Sequence, residues 1–359
     1  MPAAIQVVAL AVGALVVSLV GAYNVFKQLN GTDPLALREF LGSYELPFLG
    51  GTIEKFTIEI GDTPGTSGLF LIMLHVVYIL ALCAVFYRQR VVQITATMSS
   101  KALGAARLKA KVRQLPSASF VAWWMWGHNL FMSVFSLAML FGLVYGGILD
   151  GRFANYDTMV CNPPGEEQNL RSTGLVAFSM YVFYWSKVTE FADTFIIVLR
   201  NKPVIWLHKV HHLTTMSLVW HCMRYPHLPA CLLCAALNCF VHVIMYFWFS
   251  NPLNFKKGLQ SISTLLYNVC KEWITLSQIL QFIIVLVSMF WVVGRRFEFF
   301  SGGACNGTFA CELHGIALYA VYLVLFGAFF VSSYCKPAKK ESASTSGTRV
   351  TRSMSAKKQ

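Results

Sequence analysis

The chain is organised around residues 206–212, WLHKVHH, where three histidines stand among long apolar runs. At spacings i, i+3 and i+4, His208, His211 and His212 would share one face of a helix. A polar cluster in such surroundings needs a partner or a function. Imidazole can coordinate a metal, transfer protons near neutral pH or act as a nucleophile. The spacing alone does not choose among these roles.

The composition around this segment predicts an all-α, polytopic membrane protein. Of the 359 residues, 56% are hydrophobic and only 13% are charged, whereas soluble domains carry about 25% charged residues. Several apolar runs have the length of about 20 residues that crosses a bilayer as a helix. Weak alternation at period 2 argues against a membrane β-barrel. The basic residues behind the net charge of +13 cluster beside apolar runs, which indicates cytoplasmic loops and no nucleic-acid partner.

The apolar runs predict seven transmembrane helices, at about 68–87, 119–147, 173–199, 206–223, 230–250, 270–293 and 315–334. A further run at 5–22 could be a signal peptide, a signal anchor or an additional helix. The chain then divides into an N-terminal hydrophobic segment with a luminal loop (1–67), a membrane domain (68–335) and a basic disordered cytosolic tail (336–359).

Loop charges predict the orientation of these helices. Residues 88–113 contain seven Lys or Arg and no acidic residue, while 148–172 carry a net charge of 2 − 4 = −2. The first loop is therefore cytoplasmic and the second lies on the opposite side. This orientation places the histidines near the cytoplasmic face and the C-terminus in the cytosol. Arg295 and Arg296 break the charge rule, and Asn30 and Asn306 are possible glycosylation sites.

Three other predicted helices carry polar stripes at helical spacing. Singly, each stripe is equally well explained as structural, for example by an internal Lys–Glu pair or by glutamines that join helices. Together they predict a polar chamber enclosed by helices. The stripes are Lys187, Glu190, Asp193 and Thr194; Asn238, His242, Met245 and Tyr246; and Thr275, Gln278 and Gln281.

Over about residues 68–335, these stripes and the histidine segment resemble, in order, the signature motifs of the fatty acid elongase (ELO) family. Phe247-Trp248-Phe249 replace the tyrosines usual in the family after its Met-Tyr pair. The resemblance implies a multi-pass protein of the endoplasmic reticulum membrane in which six of seven helices enclose an acyl tunnel. It also implies an acyltransferase, a 3-ketoacyl-CoA synthase, that condenses acyl-CoA with malonyl-CoA and releases CO₂ and CoA. The product is two carbons longer than the substrate.

The same resemblance implies roles for single residues. His211 would be the nucleophile that forms an acyl-imidazole, and His208 and His212 would orient it and move protons. Asn238 and His242 would stabilise the oxyanion or enolate. The substrate chamber would be shaped and polarised by Lys187, Glu190, Asp193, Tyr246 and Gln278. Arg200, Lys202 and Lys209 could contact CoA phosphates, although plain topogenic charge explains them equally.

The resemblance also sets expectations about cofactors and partners. Malonyl-CoA is a co-substrate, and neither a cofactor nor a metal is expected. The expected partners are membrane lipid and the other enzymes of the elongation cycle, namely ketoacyl reductase, dehydratase and enoyl reductase, with a homodimer as a further possibility. A luminal disulfide from Cys161 fits the family, and its partner stays open between Cys305 and Cys311. Cys231-x-x-Cys234 is better explained as packing than as a redox motif.

Two other classes of protein compete with this interpretation. Membrane di-iron desaturases also use a His-x-x-His-His box, but they need several such boxes and this chain has one, at 208–212. A seven-span receptor or transporter could line a path with polar stripes, but neither repeated halves nor paired broken helices are visible in the sequence. Acyl chain length and unsaturation stay undetermined at this level.

Overall fold

A computed structural model describes residues 43, 45–46, 52–99, 118–161, 174–200, 202–224, 230–250, 262–305 and 307–335. Within these ranges the regular structure is helical, with a short 3₁₀ turn at Ile53–Lys55 and no strand beyond one bridge between Glu45 and Thr52. The helices are α1 (Gly68–Ser99), α2 (Ala118–Leu149), α3 (Tyr156–Val160), α4 (Gly174–Thr189), α5 (Phe191–Leu199), α6 (Trp206–Arg224), α7 (Ala230–Ser250), α8 (Ile262–Arg296) and α9 (Phe309–Tyr334). The predicted segment 5–22, Asn30, Asn306 and the tail 336–359 lie outside the described residues.

The prediction of an all-α polytopic membrane protein is confirmed. Among the described helices, five contain segments long and apolar enough to cross a membrane: Gly68–Tyr87, Phe120–Leu149, Ala230–Ser250, Lys271–Arg296 and Phe309–Tyr334. Two of these segments, 68–87 and 230–250, have the bounds predicted from the sequence. The last begins several residues before the predicted start at 315, because Thr308 caps α9 by accepting from the Cys311 N–H.

The other two predicted spans differ from the simple expectation. The span 173–199 is divided at Glu190 into α4 and α5. The Asp193 N–H donates to the Glu190 carbonyl at 3.1 Å, an i→i+3 bond that tightens the chain locally. The span 206–223 forms one helix of 19 residues, α6, but its histidines make it too polar to count as a spanning segment by composition. Both segments nevertheless pack inside the bundle.

Helix packing places α6 and α7 at the centre of the molecule. Helix α7 packs on α2 and α8, while α6 packs on α4 and α9, and the main core includes Met216, Val219, Cys239 and Val285. Helix α1 instead contacts α6 with one side and exposes its apolar side chains at 69, 72, 76 and 80 on the other. An apolar face turned outward is what contact with lipid requires.

One end of the bundle is closed by a disulfide between Cys161 and Cys305, which settles the partner of Cys161 that the sequence left open. Cys311 is a free thiol. We call this end of the molecule the disulfide end. Because Cys161 follows α3 and Cys305 precedes α9, the bond joins two loops that are 144 residues apart in the chain.

The two arginines that break the charge rule are paired at the disulfide end. Arg295 Nη1 lies 3.0 Å from Asp157 Oδ2, and Arg296 binds the fully buried Glu312 carboxylate. The Arg295 side chain also donates to the Gly302 and Gly303 carbonyls. Specific ion pairs at this end therefore account for both arginines, and the orientation of the helices stays a prediction.

Candidate active site

The four polar stripes converge on one cavity of about 550 Å³. It lies between α2, α5, α6, α7, α8 and α9, and its walls include side chains from each stripe. The sequence-predicted residues that line it are Glu190, Asp193, His208, His211, His212, Asn238, His242, Met245, Tyr246, Thr275, Gln278 and Gln281. The polar chamber expected from helical spacing is therefore present in the structure.

The three histidines of α6 lie side by side, as their spacing predicts. The ring centroids of His208 and His212 are 4.1 Å apart, and those of His211 and His212 are 5.5 Å apart. His208 Nε2 lies 2.9 Å from the Thr194 hydroxyl, which is itself 3.0 Å from the Tyr78 hydroxyl. This chain of hydrogen bonds fixes the His208 ring against α1 and α5. Across the described residues, no group of three or more His, Cys, Asp or Glu has the arrangement of a metal site.

His211 lies where the large cavity meets a smaller one. The inner cavity, of about 30 Å³, begins at His211 and Asn238 and continues between mainly apolar side chains, among them Met180, Leu218 and Met289. The Tyr322 ring packs against His211 with centroids 5.0 Å apart. One imidazole therefore faces both a polar chamber and a narrow apolar space.

A buried ionic cluster stands behind the histidines. Lys187 Nζ lies 2.6 Å from Glu190 Oε1 and 2.8 Å from Asn238 Oδ1. His242 Nδ1 lies 3.3 Å from the same Glu190 oxygen, and its Nε2 is 3.4 Å from Asn238 Nδ2. The structural Lys–Glu pair considered from the sequence is thus present, and it also contacts two proposed catalytic residues. Lys187 itself does not line the cavity.

Asp193 belongs to a separate hydrogen-bonded group. Its Oδ1 lies 2.8 Å from His128 Nε2, and its Oδ2 accepts from the Tyr246 hydroxyl at 2.6 Å. The sequence patterns did not place His128 in the site. The sequence did contain a signal for His128, because an ionisable residue inside an apolar membrane helix is by itself an indication of a functional site. Tyr78 carried no such signal, because tyrosine is common in membrane helices.

The outer part of the cavity has a basic rim. Arg200 and Lys202, both considered from the sequence, line it, as does Lys271, which was not considered. Lys209 does not reach the rim, because its ammonium lies over the Phe86 ring, 3.8 Å from the centroid. Gln278 also lines this cavity, with its Nε2 3.4 Å from Met245 Sδ.

Comparison with known proteins shows similarity to one family and to several of its named members. Residues 63–342 match the family model described as ELO: GNS1/SUR4 family. Fatty acid elongase A of Dictyostelium discoideum is 34% identical over 211 residues, which cover 58% of this chain and 71% of that protein. Fatty acid elongase sre1 of the same organism is 27% identical over 291 residues, or 80% and 91% of the two chains. Fatty acid elongase 3 of Trypanosoma cruzi is 34% identical over 167 residues, or 46% and 52%.

Proposed function

We propose that this chain, which belongs to the ELO (GNS1/SUR4) family, condenses an acyl-CoA with malonyl-CoA. The relatives to which it is similar are named fatty acid elongases. The product would be a 3-ketoacyl-CoA two carbons longer, formed with release of CO₂ and CoA. The observation that carries this proposal is the position of His211 at the junction of a polar chamber and an apolar inner cavity.

In the first step His211 attacks the thioester carbonyl of the acyl-CoA. A C–N bond forms and the C–S bond breaks, so the acyl group stays on the imidazole and CoA leaves as a thiol after taking a proton. His212, whose ring packs beside His211, and His208 are available to take up and return that proton. Splitting one difficult transfer into two easier ones is the general advantage of a covalent intermediate.

In the second step malonyl-CoA loses CO₂, and the electron pair of the broken C–C bond becomes an enolate. Its carbon attacks the acyl carbonyl, a new C–C bond forms, and the C–N bond to His211 breaks. Asn238 and His242 line the same cavity as His211, and the Asn238 amide N–H would stabilise the negative oxygen. His242, whose Nε2 faces the Asn238 amide nitrogen at 3.4 Å, would hold that amide in place. Because Lys187 occupies Asn238 Oδ1, the amide Nδ2–H₂ is the end left to serve the substrate.

The two cavities suit the two ends of the substrate. The inner cavity, lined mainly by apolar side chains, marks where the acyl chain would enter. Because a volume of about 30 Å³ admits only one or two water-sized groups, these side chains would have to move apart to admit the chain. Arg200, Lys202 and Lys271 on the rim would bind the phosphates of CoA by charge-assisted hydrogen bonds. Asp193, Tyr246 and Gln278 line the polar cavity, which supports their proposed role in shaping the chamber.

The cellular setting is part of the same proposal. We expect residence in the endoplasmic reticulum membrane, with the basic rim and the C-terminus on the cytosolic side, where CoA substrates are found. Association with the reductases and dehydratase of the elongation cycle, and a homodimer, stay predictions. No cofactor is required, because decarboxylation of malonyl-CoA supplies the driving force.

The decisive experiment separates acylation from condensation. Purified protein is incubated with acyl-CoA alone, and released CoA and the intact protein mass are measured. We expect about one CoA per protein and a mass increase equal to the acyl group, both lost in His211→Ala. His314→Ala is the matched control, because it removes an imidazole at the disulfide end of the molecule. CoA release that requires malonyl-CoA would rule out the acyl-enzyme.

Condensation itself is tested in a host without its own elongases. The host is fed saturated, monounsaturated and polyunsaturated fatty acids separately, and its lipids are profiled. Products two carbons longer, absent with His211→Ala, are expected. No extension of any acid by folded protein would contradict the proposed activity.

A further inference from the structure

Three buried thiols meet at the disulfide end of the bundle. Cys222 lies near the end of α6, Cys231 near the start of α7 and Cys311 in the first turn of α9. The sulfur atoms of Cys222 and Cys231 are 2.7 Å apart, and Cys311 belongs to the same buried core cluster. The cluster joins three helices, and Cys222 follows His212, the nearest of the three histidines in the chain, by ten residues, about 15 Å along α6.

The surroundings of the cluster are those in which disulfides form. The Cys161–Cys305 bond lies at the same end, and Cys305 is six residues before Cys311 in the loop that leads into α9. Disulfides form and persist in oxidising compartments. The chain segments around the thiol cluster therefore fold where an oxidant for thiols is available.

We propose that Cys222 and Cys231 are a redox pair that closes to a second disulfide, while Cys311 stays a thiol. Their sulfur separation of 2.7 Å is already close to the bond length of about 2.05 Å. The pairing differs from the Cys231-x-x-Cys234 motif visible in the sequence, because it joins two helices rather than two positions of one helix. It also differs from the pairings considered for Cys161.

The reaction is an ordinary thiol–disulfide exchange. Two S–H bonds break and one S–S bond forms, so the pair gives up two electrons and two protons. A protein disulfide of a thiol oxidoreductase, or glutathione disulfide, accepts them and becomes two thiols. Because both cysteines are buried in the folded protein, the exchange takes place while α6 and α7 are coming together.

Closure would have a structural effect on the candidate active site. The bond joins the C-terminal end of α6 to the N-terminal start of α7. Helix α6 carries His211, and helix α7 carries Asn238. Both cysteines also line the inner cavity. The disulfide would therefore fix the far end of that cavity and hold the two helices in register.

Differential alkylation of the full-length protein tests the proposal. Membranes prepared without reductant are denatured with a first alkylating reagent, reduced, treated with a second reagent and analysed by peptide mass spectrometry. We expect most of Cys222 and Cys231 to carry the second label, together with Cys161 and Cys305, while Cys311 carries the first. The Cys161–Cys305 pair shows within the same sample that oxidation was preserved.

Two variants sharpen the result. In Cys222→Ser, most of Cys231 should carry the first label, because its partner is absent. Cys239→Ser removes a different buried thiol of α7 and should leave the labelling of Cys222 and Cys231 unchanged. The proposal would be overturned if Cys222 and Cys231 both carried the first label while Cys161 and Cys305 carried the second label. Second label on Cys311 would overturn it as well, because a different pair would then be oxidised. The wild-type sample decides the question even if a serine variant does not fold.

Discussion

The Lys187 ammonium lies 2.8 Å from Asn238 Oδ1, so a buried cation on α4 sets the orientation of an amide on α7. An ammonium only donates hydrogen bonds, and it therefore selects the oxygen of the amide. The amide nitrogen is left facing His242. Lys187 thus acts on the cavity through Asn238 and Glu190, as a positioning residue that does not line the cavity itself.

Replacing Lys187 tests this relationship. In Lys187→Met, Glu190 is left buried without its cation, and we expect a loss of about 3–5 kcal/mol in stability. We also expect kcat to fall by about 10²-fold, the effect of losing one oxyanion donor. Thermal unfolding in detergent and steady-state condensation measure the two effects. Adding Glu190→Gln should restore most of the stability but not kcat; recovery of both would make Lys187 purely structural.

The hydrogen bond between Thr194 and His208 provides a second, milder test. Thr194→Val keeps the side-chain shape but removes the hydroxyl that lies 2.9 Å from His208 Nε2. A hydrogen bond contributes about 0.5–1.5 kcal/mol, so we expect kcat/KM to fall by up to about tenfold. Thr194→Ser, which retains the hydroxyl, is the control and should stay near wild type. Equal losses in both variants would show that packing, and not the hydrogen bond, matters here.

The inner cavity predicts how chain length is limited. His211, Thr215, Leu218 and Cys222 lie on one face of α6 and all line this cavity, so it runs along the helix. Leu218 is seven residues, or about 10 Å, from His211. Leu218→Trp should shorten the longest acyl chain that is elongated, as measured by lipid profiling. Leu137→Trp changes an exposed leucine of α2 and should leave the profile unchanged; a wild-type profile in both would place the acyl chain elsewhere.

The ion pair between Arg296 and Glu312 should stabilise the disulfide end. Glu312 is fully buried, so Arg296→Met leaves a carboxylate without its cation and should cost about 3–5 kcal/mol of unfolding free energy. The thermal midpoint in detergent measures the loss. Arg296→Met combined with Glu312→Met should recover much of it, because no unpaired charge is then buried. If the single variant unfolds at the wild-type temperature, the pair is not stabilising.

Part of the site could be predicted from the sequence because helical periodicity acts locally. His208, His211 and His212 share a face because their spacing matches 3.6 residues per turn, and the rings are adjacent in the structure. His128 was not predicted as a site residue, although its Nε2 lies 2.8 Å from Asp193 Oδ1. Those two residues are 65 positions apart, and no periodicity relates different helices to one another.

The sequence by itself determined that the chain forms apolar helices and where most of them lie. Lipid cannot satisfy backbone polar groups, so a run such as 68–87 or 230–250 has to form a helix of membrane length. Only the tertiary structure decided that the helix is divided at Glu190, that Cys305 rather than Cys311 binds Cys161, and that Lys187 holds Asn238. These outcomes depend on which helices are neighbours and on separations of a few ångströms between side chains, and both are set by packing of the whole bundle.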